Sequence, residues 1–500
     1  MTRIQGTIAV IGLSCRYPGA SNLQSFWENI LAQRTQFRTY PKQRLPMEHY
    51  FSSDPSVTDR SYLDRAAFLD DWLFDRIAWR IPQSTWASTD PAHWLALELA
   101  DDALRQAGGS QRLPPEQTAV YVGNTLTGEF TRARSLRLRW PYVGRTLARI
   151  LEKHQVPKAQ QQALLQHFQD AYQAPFPPTS EDTLAGGLSN TIAGRICGHF
   201  DLKGGGYTVD GACSSSLLAV TTAVERLATG EIDAAIAGGV DISLDPFELV
   251  GFAKAGALCR NELRIYDQRA SGMIPGEGAG FVVLKRLEDA QRDRDNIYAV
   301  IRGWGISSDG KGSITAPNAT GQARAIETAW SRAGYSASDL HFVEGHGTGT
   351  TLGDPTEIMG IVKAQEATAD EVEASCGLTS LKSIIGHTKA AAGIGALIKA
   401  ILCVNQRIIA PSAGCEKPHT AFGESNGRLY PVRYGAIHPP GATLRGGVSA
   451  MGFGGINTHV TVESADPPSP LLRSSLPEEL LLRSVQTSEV LVGSADSAES

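Results

Sequence analysis

Cysteine is scarce in this chain of 500 residues: there are seven, an odd number, scattered at positions 15, 197, 213, 259, 376, 403 and 415. No C-x-x-C pair and no histidine at zinc-finger spacing accompanies them, which argues against a disulfide framework and a structural metal site. This usage points to a reducing, cytoplasmic setting. Long apolar runs are missing as well. The first, IAVIGL (8–13), contains Gly12 and is too short for a signal-peptide core, and nothing downstream reaches a bilayer-spanning length, so no membrane partner is expected. Neither sign of charge dominates: 46 Lys+Arg against 52 Asp+Glu leave a net charge of −6, without the overall basic signature of nucleic-acid binding. There is also no short-period repeat.

What is present is an apolar fraction of 42%, ample for a packed core, and a regular alternation of short apolar runs with helix-like segments. IAVIGL, TAVYVG (118–123), DAAIAGGVDI (233–242), EGAGFVVLKRL (277–287) and IYAVIRGWGI (297–306) read as strands. LQSFWENILAQ and residues 93–108 read as helices. Such alternation predicts an α/β fold in two βα-rich halves, divided near residue 260. Residues 129–183 depart from it with basic and Gln-rich helical stretches and a Pro-rich end, an excursion whose basic residues read first as a solvated face. From 465 the composition turns to Pro and Ser with one small helical segment and a strand-like SEVLVGSAD (488–496), the texture of a linker within a longer protein.

Chemistry concentrates in four stretches. In YTVDGACSSSLLAVTTAVERLATG (207–230), Leu217, Val220, Val224 and Leu227 recur at helical spacing up to Gly230, a left-handed stop. Cys213 falls at the expected helix start, where the dipole would favour its thiolate and lower its pKa. His346 follows an apolar strand in VEGHGTGTTLGDPTE (343–357), and His387 opens a small-residue helix in LKSIIGHTKAAAG. Each alone reads equally well as a packed imidazole; with a nucleophilic thiol they supply two donors for acyl-thioester chemistry. GGVSAMGFGGINTHV (446–460) flanks Phe453 with glycines, leaving its backbone N–H free to approach a reacting carbonyl. GISSDGKG (305–312) has phosphate-loop spacing, but Gly312 stands where Ser or Thr is needed and Pro317 opposes the helix, so nucleotide binding is not expected.

DGACSSSLL, EGHGTGTTLGD, KSIIGHTKAAAG and MGFGGINTH, in this order, resemble the β-ketoacyl synthase (ketosynthase) domain of polyketide and fatty-acid synthases. The resemblance implies a thiolase-like fold with duplicated halves in a five-layered α-β-α-β-α core, spanning 1–462 (halves about 1–260 and 261–462), with 463–500 as linker. It implies a homodimer and a Cys213, His346, His387 triad. The oxyanion hole would use the N–H groups of Cys213 and Phe453. Lys382 and Glu357 would form a supporting ion pair with Asp354 nearby, while Thr348, Thr350 and Phe453 would touch a pantetheine arm. No metal or cofactor is implied in the domain, since substrates arrive on the phosphopantetheine of an acyl carrier protein. Gly211 and Gly345, with APFPPTSEDTLAGGLSNTIAGRIC and GHTKAAAG, are similar to iterative enediyne-type synthases, large chains that also carry acyltransferase, ketoreductase and dehydratase domains. Glycines 211 and 345 would keep bulk away from a growing polyene. The rival reading, a non-elongating ketosynthase-like partner, would be expected to lack the thiol.

Overall fold

The computed structural model describes residues 6–70, 72–311, 314, 316–368, 374–472 and 478–483. Eleven strands form the main sheet: β1 Ile8–Arg16, β2 Thr118–Gly123, β3 Gly206–Val209, β4 Ala234–Asp241, β5 Gly278–Arg286, β6 Ala299–Ser308, β7 Phe342–Glu344, β8 Cys376–Thr379, β9 Leu429–Pro431, β10 Arg445–Gly452 and β11 Ile456–Glu463. Their order is β9-β8-β7-β10-β11-β6-β1-β5-β4-β2-β3. With β9 set aside at one edge, each half runs third, second, fourth, fifth, first. In both halves the second strand pairs in parallel with the third and fourth, and the fifth is antiparallel to its neighbours. The two first strands, β1 and β6, join the halves through Ile8–Ile301, Ala9–Val300 and Val10–Ala299. The division expected near residue 260 therefore falls inside the first set, because β5 completes that sheet. The duplication turns over between β5 and β6.

The principal helices are α1 Leu23–Leu31, α2 Pro91–Gln106, α3 Glu129–Leu138, α4 Trp140–Lys153, α5 Lys158–Gln173, α6 Asn190–Phe200, α7 Ser215–Ala228, α8 Pro246–Lys254, α9 Ala319–Ala333, α10 Gly353–Ala367, α11 Ala392–Gln406 and α12 Glu478–Arg483. Three apolar clusters define five layers. Side chains of α2 and α6 cover the outer face of the first half-sheet, and those of α9 and α10 cover the outer face of the second. Between the half-sheets lies the largest cluster, contributed by α7 and α11. The helical stripe of Leu217, Val220, Val224 and Leu227 is wholly buried there, each side chain contributing roughly 1.5–3 kcal/mol. Gly230 ends the helix at φ 75°, as its spacing predicts.

β6 continues as strand to Ser308, so the first four residues of the phosphate-loop spacing lie on a strand, and the next helix begins only at Ala319. The 129–183 excursion forms α3, α4 and α5. Part of its basic character is used internally: Arg132 Nε lies 2.6 Å from Asp245 Oδ2, and Arg137 donates to the carbonyls of Gln173 and Phe176. The Pro/Ser-rich tail also packs back on the body. Trp27 Nε1 donates to Glu478 Oε1 at 2.9 Å and Leu481 is buried, since the leucines of α12 have an apolar face to hide. SEVLVGSAD lies outside the described residues. Among those described, no helix is long and apolar enough to cross a membrane.

Candidate active site

The thiol corner follows the third strand of the first half. Cys213 sits on a 3-10 turn, Ala212–Ser214, whose left-handed Ala212 (φ 52°) turns the chain sharply out of β3 into α7. A non-glycine residue in that region is held only where its surroundings over-determine it. Here Ser215 Oγ accepts from Gly211 N–H at 3.0 Å and donates to Ala212 O at 2.6 Å, and Asp210 Oδ1 accepts from Ala212 N–H at 2.9 Å. The β10–β11 hairpin seals the turn from the other half. Ser214 Oγ lies 2.8 Å from Thr458 Oγ1 and 3.1 Å from Ala450 O. A Cβ on Gly452 would stand 2.2 Å from Gly211 O, so only glycine permits this approach. It brings Phe453 N–H into a hydrogen bond with Cys213, while the Phe453 ring stays largely exposed.

The thiol does not have the lowered pKa expected from its place before α7. Burial pushes it up to about 11, outweighing the Lys382 charge and the Phe453 hydrogen bond, which act the other way.

The histidine corner lies at the strand ends of the second half. His346 follows β7 and His387 follows β8, and their rings meet edge to face with centroids 5.3 Å apart. His346 Nδ1 accepts the Met451 N–H at 3.2 Å; His387 Nδ1 accepts the Lys389 N–H at 3.3 Å. With each Nδ1 occupied as acceptor, the ring proton of the neutral imidazole belongs on Nε2, and both rings present an N–H donor. Burial, then the Lys382 charge, holds both well below the ordinary histidine pKa. One hairpin strand joins the two corners, since β10 bonds the thiol turn through Ala450 and His346 through Met451, and the Lys382 charge acts on Cys213, His346 and His387 alike.

The loop carrying His346 is wrapped around two carboxylates from the start of α10. Glu357 accepts from His346 N–H (2.6 Å), Gly347 N–H (2.7 Å) and the Tyr266 hydroxyl (2.9 Å). Asp354 accepts from the N–H groups of Thr348 (3.0 Å), Gly349 (3.0 Å) and Tyr266 (2.7 Å). Four consecutive amides, 346 to 349, are thus satisfied by two side chains. Burial raises both carboxyls, Asp354 to about 7. Thr348 and Thr350 face each other at 3.0 Å between hydroxyls. The expected Lys382–Glu357 ion pair is not formed. Glu357 is engaged by amides and Tyr266, and Lys382 feels Glu344 before Glu357 without a direct ion pair to either. Glu344 is instead paired with the wholly buried Lys399 at 2.7 Å.

Two further expectations change. A Cβ on Gly345 would meet Tyr266 Oη at 2.0 Å, and one on Gly211 would meet Leu218 Cδ1 at 2.3 Å. The space these glycines leave is filled by protein. Sequence reading also missed Lys389 as a site residue, although its letter stands inside GHTKAAAG. Its ammonium is buried beside Asp241 and Glu248, and only the aspartate closing an apolar strand hinted at a buried partner.

Layers and repeated strand order define a thiolase-like fold, and β10 links its thiol corner to its histidine corner. The first part of the chain, residues 5–290, matches the family model of the β-ketoacyl synthase N-terminal domain, and 298–416 match that of the C-terminal domain. The chain belongs to the β-ketoacyl synthase family, acyl-transferring enzymes by class. It is 32% identical to polyketide synthase PksL of Bacillus subtilis over 473 residues, 93% of this chain but 9% of that protein. To one subunit of the polyunsaturated fatty acid synthase of Thraustochytrium it is 31% identical over 468 residues, 92% of this chain and 16% of that one. It thus spans a small fraction of these relatives' length. Among solved structures, a Streptomyces albus oxazolomycin ketosynthase domain superposes with TM-score 0.80 at 28% identity, covering 94% of this chain and 76% of that one. The ketosynthase of module 6 of the Bacillus subtilis bacillaene synthase gives 0.75 at 30%, covering 91% and 72%.

Proposed function

We propose that this chain catalyses the decarboxylative Claisen condensation of a malonyl thioester with an acyl chain carried on Cys213. The observation that supports it best is the pair of neutral imidazoles, each with Nδ1 occupied by a backbone N–H and Nε2–H left to donate. Acyl transfer from a carrier thioester to Cys213 Sγ would release the carrier thiol, with the N–H groups of Cys213 and Phe453 holding the oxyanion. The malonyl thioester oxygen would then sit between His346 and His387. Loss of CO₂ leaves an enolate that the two N–H donors stabilise; its carbon attacks the Cys213 thioester, and the Cys213 thiolate leaves. Thr348 and Thr350 would line the pantetheine path.

In this reading residues 1–462 are the ketosynthase and 463–500 lead toward further domains. Its partners are an acyl carrier protein, a second copy in a homodimer, and acyltransferase, ketoreductase and dehydratase domains, within the cytoplasm. The motif spellings across both halves and the 129–183 excursion favour an iterative synthase building an enediyne-type polyene for antibiotic biosynthesis. The intact Cys213 disfavours a non-elongating partner. Mass spectrometry of the intact chain after incubation with an acyl thioester, then a malonyl thioester, tests the chemistry: one acyl mass on Cys213, followed by release of a β-ketoacyl product, is expected. A chain that takes no acyl group overturns it. Reconstitution with carrier, reducing and dehydrating domains tests iteration through a conjugated chromophore, and release after one condensation would favour a one-round enzyme.

A further inference from the structure

Lys389 has no part in the chemistry above, yet its ammonium is held by two carboxylates and a backbone carbonyl. Its ammonium lies 2.9 Å from Asp241 Oδ1 and 3.0 Å from Glu248 Oε2, and donates to Ser243 O at 2.6 Å. Asp241 ends β4 and Glu248 lies in α8, so carboxylates of the first half clamp a lysine of the second. Arg132 of α3 closes the cluster from the inserted helices, 2.6 Å from Asp245 Oδ2 and 3.5 Å from Glu248 Oε1. The Lys389 backbone is left-handed, φ 50°, a conformation that costs a non-glycine residue on the order of 1 kcal/mol or more and persists only under external constraint. This strained backbone carries the N–H that occupies His387 Nδ1.

We infer that Lys389 is a positioning residue for the condensation: the clamp on its ammonium holds its own backbone in the left-handed turn that aims the amide at His387 Nδ1 and so keeps His387 Nε2–H directed at the substrate. The inference rests on the ketosynthase reading above. Its electrostatic side has a definite sign. His387 faces Lys382 from one side and Lys389 from the other, with the His346 ring packed against it. Lys389 in turn faces Asp241, Glu248 and, through them, Arg132; Tyr40 and Cys213 also feel its charge. Replacing the cation by an apolar side chain leaves Asp241 and Glu248 near His387, favouring an imidazolium. A protonated Nδ1 would point a donor at the Lys389 donor, and the ring would leave its place.

The test measures two half-reactions of the full chain across pH: decarboxylation of malonyl N-acetylcysteamine thioester, and acylation of Cys213 by an acyl N-acetylcysteamine thioester followed by intact mass. In Lys389→Met, decarboxylation should fall about ten- to a hundredfold, as for a misplaced group, with its acid limb moved to higher pH, while Cys213 acylation, on which the Lys389 charge acts only weakly, should fall by a few-fold at most. Glu248→Gln, which loosens the clamp and removes a negative charge, should give a smaller loss with the acid limb moved to lower pH. A folded Lys389→Met with the wild-type rate and profile, or with both half-reactions falling together, overturns the assignment. Should that variant not fold, unchanged decarboxylation in Glu248→Gln overturns it. A wild-type chain inactive in both half-reactions refutes the ketosynthase reading and the role of Lys389 with it, whereas an active wild type with unaffected variants refutes the role alone.

Discussion

The thiol corner and the histidine corner are built alike, on turns that leave the ends of strands in the two related halves, but they handle charge in opposite ways. At Cys213 a protonated group has to lose a proton to react, and burial resists that loss, pushing the thiol up to about 11. Lys382 and the Phe453 N–H supply partial relief. At His346 and His387 burial works for the proposed chemistry, because it keeps both rings neutral while backbone N–H groups fix which nitrogen carries the proton. In the proposed reading one corner serves covalent exchange, and the other donates hydrogen bonds without itself gaining charge. The same desolvation opposes the first task and serves the second.

The sharpest way to break this division is Cys213→Ala. Acylation should be abolished, read as the absence of any acyl mass on the chain, while decarboxylation of a malonyl thioester persists, because both imidazoles keep their Nδ1 partners. Undiminished acylation of the variant would remove Cys213 from the mechanism. The converse pair, His346→Ala and His387→Ala, should lose about a hundredfold or more in decarboxylation, by analogy with deletion of an oxyanion donor, and still accept some acyl group. Wild-type decarboxylation in both variants would dissolve the comparison.

A smaller effect is expected from Glu357→Gln. The carboxylate satisfies two loop amides and the Tyr266 hydroxyl, and an amide side chain offers only one oxygen to those three donors. The loop should loosen and decarboxylation fall by about tenfold, less than on removing a histidine outright, because the ring stays present. A thermal midpoint lowered without any change in decarboxylation would show that the carboxylate serves the fold alone.

These contrasts also mark where sequence reading stops. The stripe of Leu217, Val220, Val224 and Leu227, the strand at 118–123 and the left-handed Gly230 are local patterns, and local geometry fixes them. Cys213, His346, His387 and Phe453 were legible because each sits beside glycines or small residues at the end of a predicted element. The direction of the thiol shift was not, since it depends on a hairpin some 240 residues away closing over Ala212–Ser214. Nor was the absence of a direct ion pair between Lys382 and Glu357. Glu357 lies at the right spacing for a supporting role, but Tyr266, from a segment without a motif, takes its second oxygen. The Lys389 clamp joins letters from three distant segments, each ordinary on its own.

The finest test of the comparison is a substitution read at both corners at once. Lys382 is buried, makes no direct ion pair with Glu357, and has its own pKa lowered by burial; it lowers the pKa of Cys213 and of both histidines. Lys382→Met should therefore raise all three. At the thiol corner this makes the thiolate scarcer, so the pH profile of Cys213 alkylation by iodoacetamide should move to higher pH. At the histidine corner the imidazolium becomes easier to form, so the acid limb of malonyl decarboxylation should move to higher pH as well. Losing one buried cation with no direct ion pair costs less than losing a ring or a thiol: alkylation should slow by only a few-fold at neutral pH, about what a shift of half a unit gives, while decarboxylation at neutral pH, well above its acid limb, should hardly change. Movement of one profile without the other would mean that the thiol and the imidazoles do not share the field of a single lysine, and the two corners would have to be treated as separate sites.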